Sequence, residues 1–246
     1  MRWSLLFKIT KKDWREIKSN KQIIIPMIIV PLLFAVVLPF FIVILPILSG
    51  DSDEFAEFGG VVGFIYYMAN SQLMPSLVMI PLLVTMAIAA DSWAGEKERK
   101  TAESILLLPV SDGDLLVAKI LTSFIPGMII TLLCGAGIII IVDVAVGFLL
   151  FPDWNWIFML FILTPLLTFM SVAINVWIST RAKDTKSAQQ MGGFTFVLYF
   201  AVLFAGLFGV GPLVLNVLAI ILAILDVVLL FLAPRMFSRE TLIAKI

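Results

Sequence analysis

The chain contains no histidine, a single cysteine, and only 14% charged residues among its 246. Without histidine there is no Ser-His-Asp arrangement and no imidazole-ligated metal. The one thiol, Cys134, lies inside an apolar run and has no second cysteine to pair with. Lysine plus arginine and aspartate plus glutamate number 17 each, so no basic excess points to nucleic acid. The phosphate loop G-x-x-x-x-G-K-[ST] is missing, since Gly95, Glu96 and Lys97 lack the preceding glycine, and so are G-x-S-x-G and H-E-x-x-H. Short alternating strands are missing as well, which excludes a membrane barrel. No cleavable signal peptide is expected, because the first apolar run is too long and too rich in proline and lacks an A-x-A site.

What is present is apolar sequence. Hydrophobic residues make up 61% of the chain and the mean hydropathy is +1.11, where soluble domains sit at about 45–50% apolar. The expected fold class is therefore an all-α integral membrane protein. Six apolar runs are long enough to cross a bilayer, at 23–48, 73–90, 115–142, 157–180, 192–210 and 213–233. They are expected to form a single transmembrane domain over 1–246. The first run carries Pro26, Pro31, Pro39 and Pro46 and is expected to bend. Gly127, Thr131 and Gly135 line one face of the third, where a neighbouring helix can approach closely. Ala205 and Gly209 repeat that spacing in the fifth, and Gly209 with Pro212 marks a tight turn before the sixth.

All 17 bases fall in four places: seven in 1–21, four in 97–119, three in 181–186 and three in 235–245. Each base-free interval between them is long enough for two crossings. By the positive-inside rule both termini and both charged loops are cytoplasmic, giving six spans in three hairpins. The segment 1–21 has bases on one face and Trp3, Leu6, Phe7, Trp14 and Ile17 on the other, an amphipathic helix suited to the headgroup layer. The outer loop carrying Asp51, Asp53, Glu54 and Glu57 runs about twenty residues to the second span, too short to fold alone.

The densest polar stretch is Asp91 to Asp114, DSWAGEKERKTAESILLLPVSDGD. Glu96 with Lys100, and Arg99 with Glu103, are spaced as i,i+4 pairs of one short helix. Ala102, Ile105 and Leu106 give it an apolar face, and Pro109 stops it. Ser111 with Asp114 is an N-cap signature for the third span, and Asp184 or Thr185 caps the helix after the Arg181 loop. A plain solvated charge run would explain much of the same composition. Asp226 is the anomaly inside a span, where an ionised carboxylate costs at least about 2.5–3.5 kcal/mol. A structural polar contact and a place on a transport pathway are both open for it, and Asn175 in the fourth span is the other candidate pathway residue.

The run AGEKERKTAESILLLPVS resembles the signature that follows the second span in permease subunits of type-2 ABC transporters. Gly95, Glu96, Lys97, Glu98, Arg99, Thr101, Glu103, Leu106, Leu107, Pro109, Val110 and Ser111 match that pattern. Permeases of the sodium-efflux type and of the bacteriocin-immunity type are close to this pattern, and nothing in these residues chooses between them. The resemblance implies a permease of an ATP-driven exporter in the cell membrane, itself no enzyme and without a cofactor of its own. ATP and magnesium would be bound by two separate ABC ATPase subunits, and a second permease copy or a sister permease would complete the path. It implies that 1–21 is the elbow helix and that 91–112 carries the coupling helix, with Glu96, Lys97, Glu98, Arg99 and Glu103 facing the ATPase. The competing reading, an ion-coupled secondary transporter or channel using Asp143 and Asp226, leaves the Glu96 to Ser111 pattern unexplained. An intramembrane enzyme fails for want of histidine and of acids clustered at one depth.

Overall fold

The computed structural model describes residues 3–50, 53–107, 110–149, 152–197, 199–200 and 212–236. Among these every regular element is helical and none is a strand. Helix α1 is Trp3–Ser19. Four helices are long and apolar enough to cross a membrane: α2 (Lys21–Ser49), α3 (Val61–Glu98), α5 (Asp112–Val146) and α6 (Trp154–Arg181). Between α3 and α5 lies the short α4 (Ala102–Leu106). Helix α7 is Thr185–Gly192, and α8 is Pro212–Met236, whose apolar stretch Asn216–Leu232 is shorter than the other four. Asp51, Pro109, Ala205, Gly209, the expected fifth span beyond Phe200, and Arg239, Glu240 and Lys245 of the tail lie outside the described residues.

Helix α3 is the centre of the molecule. Of its apolar stretch 83% is buried, against 17% for α2. It packs on α5 and α6, α6 also packs on α8, and α1 lies against α5. The main core joins Leu77, Ile138, Leu163 and Leu222 from four helices. The small-residue face of α5 serves this intrachain packing: a Cβ on Gly127 would stand 2.3 Å from Thr85 Cγ2 of α3.

Two spans are longer than their hydropathy indicates. Residues 61–72, expected to be outer loop, are helical and continuous with the second span. Their polar members are satisfied locally. Asn70 donates to the Tyr66 carbonyl (3.0 Å) and accepts from Trp156 Nε1 (3.0 Å). Phe58 stacks with Phe64 and Tyr67 at the same end. Helix α5 likewise runs past Asp143 to Val146, an acid being tolerable in the last turn of an emerging helix.

The prolines do not break the spans. Four π turns occur among the described residues, at Leu33–Val37, Phe40–Ile44, Ala69–Leu73 and Met159–Leu163. Each ends two residues before a proline: Pro39, Pro46, Pro75 and Pro165. A proline ring clashes with the carbonyl four residues back and offers it no amide. In each case that carbonyl, of Ala35, Ile42, Ser71 or Phe161, lies within the widened turn, which moves it clear of the ring. Pro26, Pro31, Pro81 and Pro126 are carried inside α-helical turns instead.

Candidate functional site

The polar stretch after Asp91 folds into a corner rather than one helix. The main body of α3 ends at Asp91, and one more turn, Ala94–Glu98, follows a break at Ser92 and Trp93. The break is plugged by Ser179 of α6. Its hydroxyl accepts from the amides of Trp93 (3.0 Å) and Ala94 (2.9 Å) and donates to the Ala90 carbonyl (2.7 Å). Lys100 then turns the chain with φ +57°. The amide of Thr101 bonds the Glu96 carbonyl (2.9 Å) and that of Lys100 the Lys97 carbonyl (3.0 Å), the paired bonds of a left-handed helix end. This break separates Glu96 from Lys100 and Arg99 from Glu103, so the expected i,i+4 pairs do not form.

Each charged residue of the turn bonds a different part of the molecule. Glu96 is 1% exposed. It accepts from Lys119 of α5 (3.2 Å), Lys12 of α1 (3.1 Å) and the Thr101 hydroxyl. Lys97 donates to the carbonyls of Thr180 (2.7 Å) and Ala182 (3.3 Å), closing the C-terminus of α6, where a cation also meets the helix dipole. Glu98 accepts from the amide (2.8 Å) and hydroxyl (3.0 Å) of Thr185 at the N-terminus of α7. There Asp184 is the N-cap, reciprocally bonded with Ser187. The Ser187 amide and hydroxyl hold the Asp184 carboxyl below its ordinary range. Arg99 grips Asp91 through two nitrogens at 3.1 to 3.2 Å and reaches Glu16 of α1 at 3.5 Å. Gly95 is fixed by that grip, since a Cβ there would stand 2.1 Å from Asp91 Oδ1.

Three of the partners were not singled out by sequence reasoning. Lys119 is 2% exposed, ion-paired to Asp13 (3.1 Å) as well as Glu96, and lies 5.4 Å from the centre of the Trp93 ring. Asp13 is 6% exposed, on the same face of α1 as buried Ile9 and Ile17. Lys12 bridges Glu16 (2.9 Å) and Glu96. Burial alone would lower the Lys12 ammonium, but Glu16 and Glu96 outweigh it and raise it above its ordinary value. The signal was available for two of them: Asp13 interrupts an apolar stripe at i, i+4, i+8, and Lys119 sits a turn and a half inside an apolar run. Helix α1 therefore turns its Ile9–Asp13–Ile17 face to protein, while Lys11, Arg15 and Lys18 are exposed.

The outer side of the corner is different. Lys100, Glu103 and Ser104 are exposed, and Leu107 is 84% exposed. Lys100 and Glu103 line a cleft of about 760 Å³ together with Lys97, Glu98, Arg181 and Lys183. Of the five expected coupling residues Glu96 is buried, Lys97 is half-buried and Glu98, Arg99 and Glu103 are exposed; the first four bond other helices, and Glu103 makes no side-chain bond to the described residues of the corner. The expected pathway residues lie elsewhere. Asn175 of α6 is 1% exposed and donates to Ser171 (2.8 Å to its carbonyl) and to Thr195 Oγ1 (3.3 Å). Asp226 of α8 is 5% exposed, in line with buried Ala219 and Leu222, and neither of its oxygens has a hydrogen-bond partner among the described residues.

A protein-family model described as ABC-2 family transporter protein matches residues 7–236. A search of curated proteins found no match.

Proposed function

Since the chain belongs to the ABC-2 transporter family, a family of membrane permeases rather than catalytic subunits, we propose that it forms the translocation path of an ATP-driven exporter. In this reading it works as a dimer, with itself or a sister permease, and carries two ABC ATPase subunits on its cytoplasmic side. Six crossings, both termini in the cytoplasm and a place in the cell membrane complete the proposal, supported by the grouping of the bases. Helix α1 serves as the elbow and α4 with its flanks as the coupling helix.

The observation that carries the reading is the division of labour at the corner. Glu96, Lys97, Glu98 and Arg99 tie α1, α3, α5, α6 and α7 together, while Lys100, Glu103, Ser104 and Leu107 are exposed and make no such tie. A push on the outer surface is thereby delivered to three long helices through short polar bonds, as rigid-body gating needs. The docking contact is assigned to the outer residues. Mixed charge there suits a steerable polar surface around one apolar anchor.

Co-purification with the cognate ABC ATPase tests this. Glu103→Arg with Leu107→Asp is expected to leave the permease folded and to lose at least about tenfold in complex stability, the cost of a central contact. An unchanged complex and unchanged ATP-dependent transport would move the docking site away from α4. Transport by this chain alone, driven by an ion gradient and abolished by Asp226→Asn, would favour a second reading. That reading rests on the buried carboxylate with no partner among the described residues.

A further inference from the structure

Beneath the corner, between α1, α3 and α5, lies a cluster of seven charges: buried Asp13, Asp91, Glu96 and Lys119, and the partly exposed Lys12, Glu16 and Arg99 at its rim. Its buried members are three carboxylates, Asp13, Asp91 and Glu96, against one cation, Lys119, and with the partly exposed Lys12, Arg99 and Glu16 counted the whole still carries one surplus negative charge. Burying such a charge is costly, and proteins avoid it by pairing or by protonation.

The bonding shows where the missing positive charge can go. Both Glu96 oxygens are taken, one by Lys12 and Lys119 and the other by Thr101. Glu16 gives one oxygen to Lys12 and the other to Arg99, and both Asp91 oxygens meet Arg99. On Asp13, Oδ2 faces Lys119 at 3.1 Å, off the line of a hydrogen bond, while Oδ1 is buried and accepts nothing from the described residues. Asp13 also lines a cavity of about 20 Å³ shared with Glu16, Asp91 and Lys119, room for a single water molecule. Asp13, Glu16 and Glu96 lie close enough together to suggest a metal site, but all their oxygens except Asp13 Oδ1 already face a cation or a hydroxyl. One free oxygen and one surplus negative charge fit a proton.

We infer that Asp13 is a proton-binding site: its carboxyl carries a proton on Oδ1 while α1 lies against α5, and releases it to water when α1 separates. Burial pushes the Asp13 carboxyl above its ordinary range, against the pull of Lys119 and Lys12, and the negative charge of Glu96 adds to the rise. The protonated carboxyl can donate into the cavity, where the Asp91 and Glu16 carboxylates and a water are the available acceptors. On separation the O–H bond breaks, the proton passes to water, and the carboxylate regains its solvation and ordinary acidity. The docked value being the higher one, docking takes up a proton and weakens as pH rises from the ordinary value, about 3.9, through the docked one. The inference concerns α1 and is independent of where an ATPase docks.

The test uses the full chain in lipid nanodiscs. Infrared spectra taken over a pH series are compared between wild type and Asp13→Asn, a neutral isostere. The expected result is one carboxylic-acid carbonyl band, absent from Asp13→Asn, whose titration midpoint lies above about 3.9. No such band, or a midpoint at or below that value, would show that Asp13 is ionised and the cavity holds water alone. Should Asp13→Asn fail to assemble, Asp13→Glu keeps the acid and shifts the band, which identifies it equally. Hydrogen exchange of the α1 amides, compared between wild type and Asp13→Asn at equal pH, reads the second half of the proposal. Protection of wild type relative to Asp13→Asn is expected to fall as pH is raised from about 4 to about 8, the sign that an acidity weakened by docking requires. Relative protection that does not fall would overturn the link between proton and docking.

Discussion

At the scale of single residues, the charged motif has two kinds of member, and spacing alone did not separate them. Lys119 shows the difference most sharply. Lys119→Met would take from buried Glu96 its one buried cation, leaving it only the partly exposed Lys12, and is expected to cost about 3–5 kcal/mol. The checking measurement is the thermal midpoint of the detergent-solubilised chain, which should fall far below that of Lys100→Met, an exposed position. The run Glu96 to Glu103 was legible as the place where this chain concentrates its polar chemistry, because nowhere else do so many charges lie between apolar runs. Its inward direction was not legible. Glu96 meets Lys12 and Lys119 from sequence positions 84 and 23 residues away. A charge looks solvated until its distant partners are known.

Among the elements, helix ends explain more than helix interiors. The same turn of chain closes the end of α6 with Lys97 and the start of α7 with Glu98. Glu98→Ala is expected to cost about 0.5–2 kcal/mol, the range of a lost cap. Because Asp184 still caps α7 through Ser187, the lower half of that range is expected. Amide exchange at Thr185, whose bond to Glu98 is gone, should rise more than that at Ser187. Caps formed within one stretch were readable from sequence: Ser111 before α5, with the Asp114 amide at 3.1 Å, and Asp184 before α7. Spans were readable because a continuous apolar run has few other uses. Their ends were not, since residues 61–72 satisfy polar side chains such as Asn70 against another helix. Helix α2 carries two π turns, ahead of Pro39 and Pro46, a feature that proline content alone does not announce.

For the whole molecule, α3 is the post around which the others are set, and α2 is the most exposed span. The π turns of α2 settle how so exposed a helix still keeps a fixed side toward α3 and α5. Its buried and half-buried positions recur every fourth residue: Ile23, Met27, Pro31, Ala35, Pro39 and Val43. An α-helix advances about 100° per residue, so a strict four-residue repeat slips about 40° per turn and would be about 200° astray by the fifth. Each π turn absorbs one extra residue, and two of them return about 200°. The prolines thus act as a phase correction, keeping a mistimed stripe aimed at the same two neighbours, α3 and α5, along the span. Val43→Asn is therefore expected to lower the thermal midpoint, with a cost of about 1–3 kcal/mol for a buried amide left unpaired. Phe41→Asn, two residues earlier at a position 58% exposed, should move it far less. Equal losses at the two sites would mean that α2 keeps no such phase, and its prolines would then be ordinary bends in a helix free to roll in its surroundings.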